Sequence, residues 1–230
     1  MRQLPIFLAA LIAAICLACS GPDRRLAHAA DIVDTIPRQA LEILDTVDPS
    51  SLSTSDRHLR NLLIVKARDK AYLRHISDSL ILDALDYYNN HGSKQLRAEA
   101  LYYAGRVYSD LGDFPTALGY FQDALELLPD NKENLNLRGN VASQTGRLLN
   151  TLRLYSEAIP YVEESLRISR IEGDPYNIAY DAQLLGTIHM HLNDLDKAEK
   201  LFTDACVAGA ILPDEDKLRL KTYLAAASSY

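Results

Sequence analysis

Residues 101–129 read LYYAGRVYSDLGDFPTALGYFQDALELLP. Small and large side chains alternate there on a regular beat: Ala104 and Gly105 adjoin, then Tyr108, Gly112, Ala117, Phe121, Ala124 and Pro129 follow. Leu101, Ala104, Tyr108 and Leu111 recur at helical spacing and predict a first helix. Gly112-Asp113 breaks it; Asp113 is placed to cap a second helix, and Pro115 is tolerated in that helix's first turn. Ala117, Phe121, Ala124 and Leu125 form the inner face of the second helix. An amphipathic helix needs apolar residues on one face, but not minute ones at fixed places. The pattern therefore predicts two antiparallel helices that cross closely at Gly105 and Ala117, with Phe121 filling space beside Tyr108. A methyl-sized overfill at such a contact costs about 1–3 kcal/mol.

The same beat returns downstream. Residues 142–172 read ASQTGRLLNTLRLYSEAIPYVEESLRISRIE, and residues 182–213 read AQLLGTIHMHLNDLDKAEKLFTDACVAGAILP. Aligning Gly105, Gly146 and Gly186 brings Ala117, Ala158 and Ala198 into one column. It also aligns Phe121, Val162 and Phe202, then Ala124, Ser165 and Ala205. Repetition of this length predicts stacked helix hairpins, each too small to bury its apolar face alone.

Leu101, Gly105, Tyr108, Ala117, Phe121, Ala124 and Pro129 stand at the signature positions of the tetratricopeptide repeat, and residues 98–131 closely resemble that family. Residues 179–212 resemble it with His189 in place of a Tyr. Residues 139–172 keep Gly146 and Ala158 but carry Leu149, Val162 and Ser165. The resemblance implies an all-α fold, a TPR-like α-α superhelix in which helix hairpins build a right-handed solenoid. The spacing of 40–41 residues implies longer helices than the common repeat has. Upstream, residues 57–92 read as a degenerate hairpin with Ala67 in the small-residue slot. Residues 19–56 hold degenerate capping helices, with Ala40, Leu41 and Leu44 on the second of them. Residues 214–230 read as the first helix of an incomplete further repeat. This predicts either a fragment of a longer protein or dimerisation through that end.

The N-terminus has another character. Arg2 is followed by an apolar run from Leu4 to Leu17, too short for a comfortable membrane span, and then by small residues before Cys19. Residues 1–18 read as a secretory signal, and its ending resembles the lipobox of bacterial lipoproteins, with Cys16 where that family usually has Leu. The resemblance implies that Cys19 is lipidated (diacylated and palmitoylated) and anchors the chain in the bacterial cell envelope. SGPDRR follows Cys19 in place of a run of acids, which points to a periplasm-facing anchor. Cys206 is then the one remaining thiol, expected to be a small buried apolar residue. Of 24 Lys and Arg, loss of Arg2 leaves 23 against 31 acidic side chains, a balance of −8. Such a surface argues against nucleic acid and against electrostatic binding to anionic lipid.

Taken together, these features resemble tetratricopeptide lipoproteins and sensor proteins of Bacteroidetes. In the repeat family, ligand peptides lie in a concave groove lined by first helices. The corresponding positions are Glu99, Tyr102, Arg106, Ser109 and Asp110, then Asn140, Ser143, Arg147, Asn150 and Thr151, then Tyr180, Gln183, Thr187, Met190 and His191. Asn, Gln, Arg and Tyr suit hydrogen bonding to an extended backbone or clamping of a carboxylate. The carboxylate clamp of chaperone-binding relatives is not reproduced, since Tyr102 and Arg106 stand where that clamp has Lys and Asn.

The expected function is non-catalytic: a scaffold that binds a protein or peptide partner, without a cofactor. The alternative is the extracytoplasmic part of a longer membrane-bound signalling or transcription-regulating protein. No nucleophile elbow, phosphate-cradling glycine loop or HExxH motif is present in the sequence. A metal reading of His189 and His191 fails on geometry, because helix residues two apart diverge by roughly 200°. The acidic ILPDEDK stretch, residues 211–217, reads as a loop and helix cap.

Overall fold

The computed structural model describes residues 23–217 and 221. The helices are α1 (Arg24–Ile32), α2 (Pro37–Asp45), α3 (Thr54–Lys70), α4 (Ser79–Asn90) and α5 (Lys94–Leu111). They continue with α6 (Phe114–Leu127), α7 (Leu135–Thr151), α8 (Tyr155–Glu172), α9 (Pro175–His191) and α10 (Leu195–Ala210). No strand occurs among the described residues. The chain divides into two compact units at Tyr87/Tyr88, inside α4. The predicted signal, Cys19 and almost all of the predicted final helix lie outside the described residues; Asp214–Lys217 are helical.

In the first unit, Leu26, Ala29 and Val33 from α1 and its C-terminal cap meet Ala40 and Leu44 of α2 and Leu63, Ile64 and Ala67 of α3. Local chemistry sets the helix starts. The Asp23 carboxylate accepts from the Arg25 N–H, and the Ser53 hydroxyl accepts from the Asp56 N–H, satisfying donors that the first helical turn leaves open.

The second unit stacks three hairpins, α5/α6, α7/α8 and α9/α10, with α7 against α6 and α9 against α8. The glycine column works as a seat for the opposing side chain. A Cβ on Gly105 would lie 2.3 Å from Cε1 of Phe121; on Gly146, 2.3 Å from Cγ2 of Val162; on Gly186, 2.8 Å from Cε1 of Phe202. Phe121 therefore rests on Gly105, with the Tyr102 ring centroid 6.1 Å away. The ring of Tyr120 lies 5.5 Å from that of Tyr108.

One turn geometry closes each hairpin. Tyr72, Gly112, Arg153 and Asn193 all have positive φ, between 58° and 84°, at intervals of 40, 41 and 40 residues. Each is followed by the same backbone bond reaching five residues back: Leu73 N–H to Arg68 O, Asp113 to Tyr108, Leu154 to Leu149 and Asp194 to His189. This is the left-handed helix stop in which the N–H beyond the cap satisfies a terminal carbonyl. Gly112 adopts it without strain, whereas Tyr72, Arg153 and Asn193 do so against their own Cβ.

Cys206 is exposed, contrary to the expectation of burial. Its neighbour Ala205 takes the inward-facing slot, and a step of one residue rotates the next side chain about 100° away.

Candidate peptide-binding face

The first helices α5, α7 and α9 carry the residues expected to line a binding face, and the structure sorts them into three groups. Tyr102 and Tyr180 are enclosed, at 7% and 6% exposure. Tyr102 packs edge-on against Tyr103, with ring centroids 4.9 Å apart, and Tyr180 joins the apolar cluster around Val162 and Leu185. Their rings serve helix packing, because a side chain that large beside a neighbouring helix is drawn into the seam.

Ser143 is also buried, and its hydroxyl donates to Asp181 Oδ1 at 2.8 Å. Ser165 and Ser169 of α8 donate to Oδ2 of the same carboxylate at 2.7 and 3.0 Å. Asp181 is 1% exposed, and burial pushes its carboxyl up to about 6 despite the three hydroxyls. This buried knot joins α7, α8 and α9. The sequence does carry a signal of it: Ser165 interrupts a column otherwise filled by Ala124 and Ala205.

The third group remains accessible. Arg106, Asp110, Asn140, Arg147, Asn150, Gln183 and Thr187 are half-buried, while Met190 and His191 are exposed. The Asn140 amide donates to Asn136 at 3.2 Å. The hydroxyls of Ser109, Thr151 and Thr187 are occupied by carbonyls one turn back in their own helices. His191 stacks on Tyr155, with centroids 4.7 Å apart and planes 13° from parallel. His189, two residues earlier, is buried.

At the centre stands Gln144, which the sequence reading did not single out. Its side-chain carbonyl oxygen accepts from Arg106 Nη1 of the preceding hairpin and from Arg147 Nε at 3.0 Å. Two guanidiniums on successive first helices are thus gathered on one neutral acceptor. Arg147 makes no ion pair among the described residues, so its Nη nitrogens keep their donor capacity. One turn further along α7, Asn150 Oδ1 is buried and accepts no hydrogen bond among the described residues. Donors suited to a carboxylate therefore lie on α7, one turn from an amide oxygen that packing shields. Only a signal for polar contact between first helices, such as three polar residues at Arg106, Gln144 and Arg147, could have pointed to Gln144.

Comparison with known proteins agrees with this architecture. Residues 98–131 match the tetratricopeptide repeat family. No curated protein sequence matches the chain. Among solved structures, MamA AMB-1 in one crystal form aligns at 17% identity and a TM-score of 0.53, covering 80% of this chain and 93% of that one. A second crystal form of MamA AMB-1 gives 18% and 0.55, with 85% and 93% covered. A MamA point variant gives 16% and 0.51, with 85% and 98% covered. The fold is all-α and resembles that of MamA, and the α5/α6 hairpin lies within the residues that match the tetratricopeptide repeat family.

Proposed function

We propose that the protein is a non-catalytic scaffold that binds an extended segment of a partner protein along the first helices α5, α7 and α9. The observation that carries this reading is the sharing of Gln144 by Arg106 and Arg147. The pair concentrates cationic donors on a chain of net charge −7 without supplying Arg147 with a carboxylate of its own. A carboxylate of the partner would accept from the free Arg147 nitrogens. Gln183, Thr187 and His191 continue the polar strip on α9. The signal-like residues 1–18 and the cysteine that follows them support an anchor in the cell envelope through lipid on Cys19, with the repeats facing the periplasm. No helix among the described residues is long and apolar enough to cross a membrane.

Affinity capture from an envelope extract tests the site, with the wild-type chain and the Arg106→Ala/Arg147→Ala variant as baits. A protein retained by the first and lost by the second is expected; equal retention by both removes the assignment. Metabolic labelling with a clickable fatty acid, in wild type and Cys19→Ala, tests the anchor: label on the wild type alone is expected, and an unlabelled wild type ends that part of the reading.

A further inference from the structure

The junction between the second and third hairpins differs in kind from the one before it. Across the first junction, Arg106 of α5 donates to Gln144, a neutral acceptor, and Arg138 of α7 donates to the Leu128 carbonyl beyond α6 at 2.7 Å. Across the second, the buried acceptor is an acid. Asp181 stands on α9, and its three donors, Ser143, Ser165 and Ser169, all stand on the α7/α8 hairpin. Each side-chain hydrogen bond of this carboxylate therefore runs from one hairpin to the next. Another link across the same junction, Arg170 of α8 to Asp204 of α10 at 2.8 Å, lies at the surface with the Arg170 side chain half exposed. Exposed pairs of that kind hold weakly.

Asp181 is the one buried acid among the described residues. It meets the Ser143 hydroxyl from α7 and the Ser165 and Ser169 hydroxyls from α8, while Asp174 at the N-terminal cap of its own helix adds a like charge. Among the described residues, no cation pairs with it, and no hydrogen bond or ion pair reaches it from α10. Three neutral hydroxyls offset only part of what a carboxylate loses on leaving water, and burial wins. The protonated knot, by contrast, can stay fully bonded. Oδ2 already accepts from two hydroxyls and Oδ1 from one, so the proton enters on Oδ1 and is donated to Ser143 Oγ. Ser143 then turns its own hydrogen to the Gly139 carbonyl one turn back, the bond that Ser109, Thr145, Thr151 and Thr187 make in their helices. When the junction parts, Asp181 returns to water, so an ionised Asp181 favours parting and a protonated one opposes it.

We infer that Asp181 makes the docking of the α9/α10 hairpin onto α7/α8 proton-dependent, firmer in mildly acidic surroundings and more readily released in neutral ones. The device acts on the first-helix face, because Gln183, Thr187 and His191 ride on α9 while Arg106, Gln144 and Arg147 stand on α5 and α7. This junction holds the two halves of that strip in register. The inference needs no partner, and its test uses the chain alone, so its failure and that of the binding proposal are distinguishable.

Native-state hydrogen exchange of the full chain, read amide by amide and corrected for the intrinsic pH dependence of exchange, is the test. At pH 7 the amides of α9 and α10 are expected to open separately from those of α5 and α6. Their opening constant should rise by roughly fiftyfold between pH 4 and pH 7. Asp181→Asn should remove most of that rise. Ser143→Ala, which withdraws a donor from the ionised form, should raise opening more at pH 7 than at pH 4 and gives a second reading should the Asn variant not fold. An α9/α10 hairpin that opens only together with α5/α6 at both pH values overturns the proposal. So does a rise kept intact in Asp181→Asn, an equal effect of Ser143→Ala at both pH values, or an NMR titration of the Asp181 carboxyl with an ordinary midpoint of about 4.

Discussion

The ring of Phe121 occupies the space that any side chain at Gly105 would need: a Cβ there would stand 2.3, 2.4 and 2.9 Å from three ring carbons. Phe121 is fully buried, so its ring has nowhere to retreat. Gly105→Ala is therefore expected to destabilise the fold by about 1–3 kcal/mol, even though alanine is the better helix former. Gly119 lies in α6 with nothing near its missing Cβ. Gly119→Ala should instead stabilise by roughly 0.5–1 kcal/mol. Thermal or urea unfolding of the pair checks both signs, and two variants of like sign would disprove the contact argument.

The hairpin turns make a separate prediction. Arg153 and Asn193 hold the left-handed conformation that Gly112 holds in the first full repeat. Arg153→Gly removes the Cβ strain of about 1–2 kcal/mol while adding some freedom to the unfolded chain. A net gain of roughly 0.5–1 kcal/mol is expected on urea denaturation. Gly112→Val, the reverse change, should cost more than the Arg153→Gly gain, because a β-branched side chain tolerates positive φ poorly.

The Asp181 knot should leave a mark on the pH dependence of stability. Burial raises this carboxyl from 3.8 to about 6, so the folded state takes up a proton where the unfolded chain does not. The stability gained from the protonated form is complete below pH 3.8 and is lost as the pH rises through about 6. The displacement corresponds to roughly 3 kcal/mol. Asp181→Asn should flatten this part of the profile and unfold at higher urea than wild type well above pH 6. An unchanged slope between pH 4 and 7 would show that the carboxylate is not held as described.

Glu164 predicts the opposite slope at lower pH. Arg167 and Arg138 donate to its two oxygens at 2.8 Å and hold it down to about 2 from an ordinary 4.5. Its contribution is present above pH 4.5 and fades as the pH falls towards 2. Glu164→Gln should cost about 1–2 kcal/mol at neutral pH and lose part of the acid limb. Chemical denaturation at pH 7 and pH 3 separates the two effects. Arg138 also donates to the Leu128 carbonyl, so Arg138→Ala should cost at least as much.

Much of the hairpin layout was legible in the one-dimensional pattern because its causes are local. Asp113 caps α6 through Thr116, Gly112 stops α5, and the glycine column leaves room for Phe121, Val162 and Phe202. Each of these follows from turn chemistry, helix period or the absence of a Cβ; the helix stop and the glycine column repeat at 40 or 41 residues, while the side-chain cap of Asp113 is not repeated at Leu154 or Asp194. The assignment of individual side chains to a binding face was less legible. Tyr102, Tyr180 and Ser143 stand at groove positions by count, but large or polar groups near a seam are drawn into it when a partner waits there.

The order of the helices, the places where they stop and the small-residue seats between them were set by the sequence alone, since all are decided within one hairpin. The polar contacts between successive hairpins were decided only in three dimensions. Arg106 meets Gln144 and Ser143 meets Asp181, each pair 38 residues apart, three short of the 41-residue interval between Gly105 and Gly146 and two short of the 40-residue interval between Gly146 and Gly186. That offset follows from helix geometry: residues two or three positions apart point to different faces, and the face one first helix turns to the next is not the face that the next turns back. Which faces meet is a property of the packed assembly, and it determines that Arg106 and Arg147 gather on Gln144 and that the Asp181 carboxylate is buried.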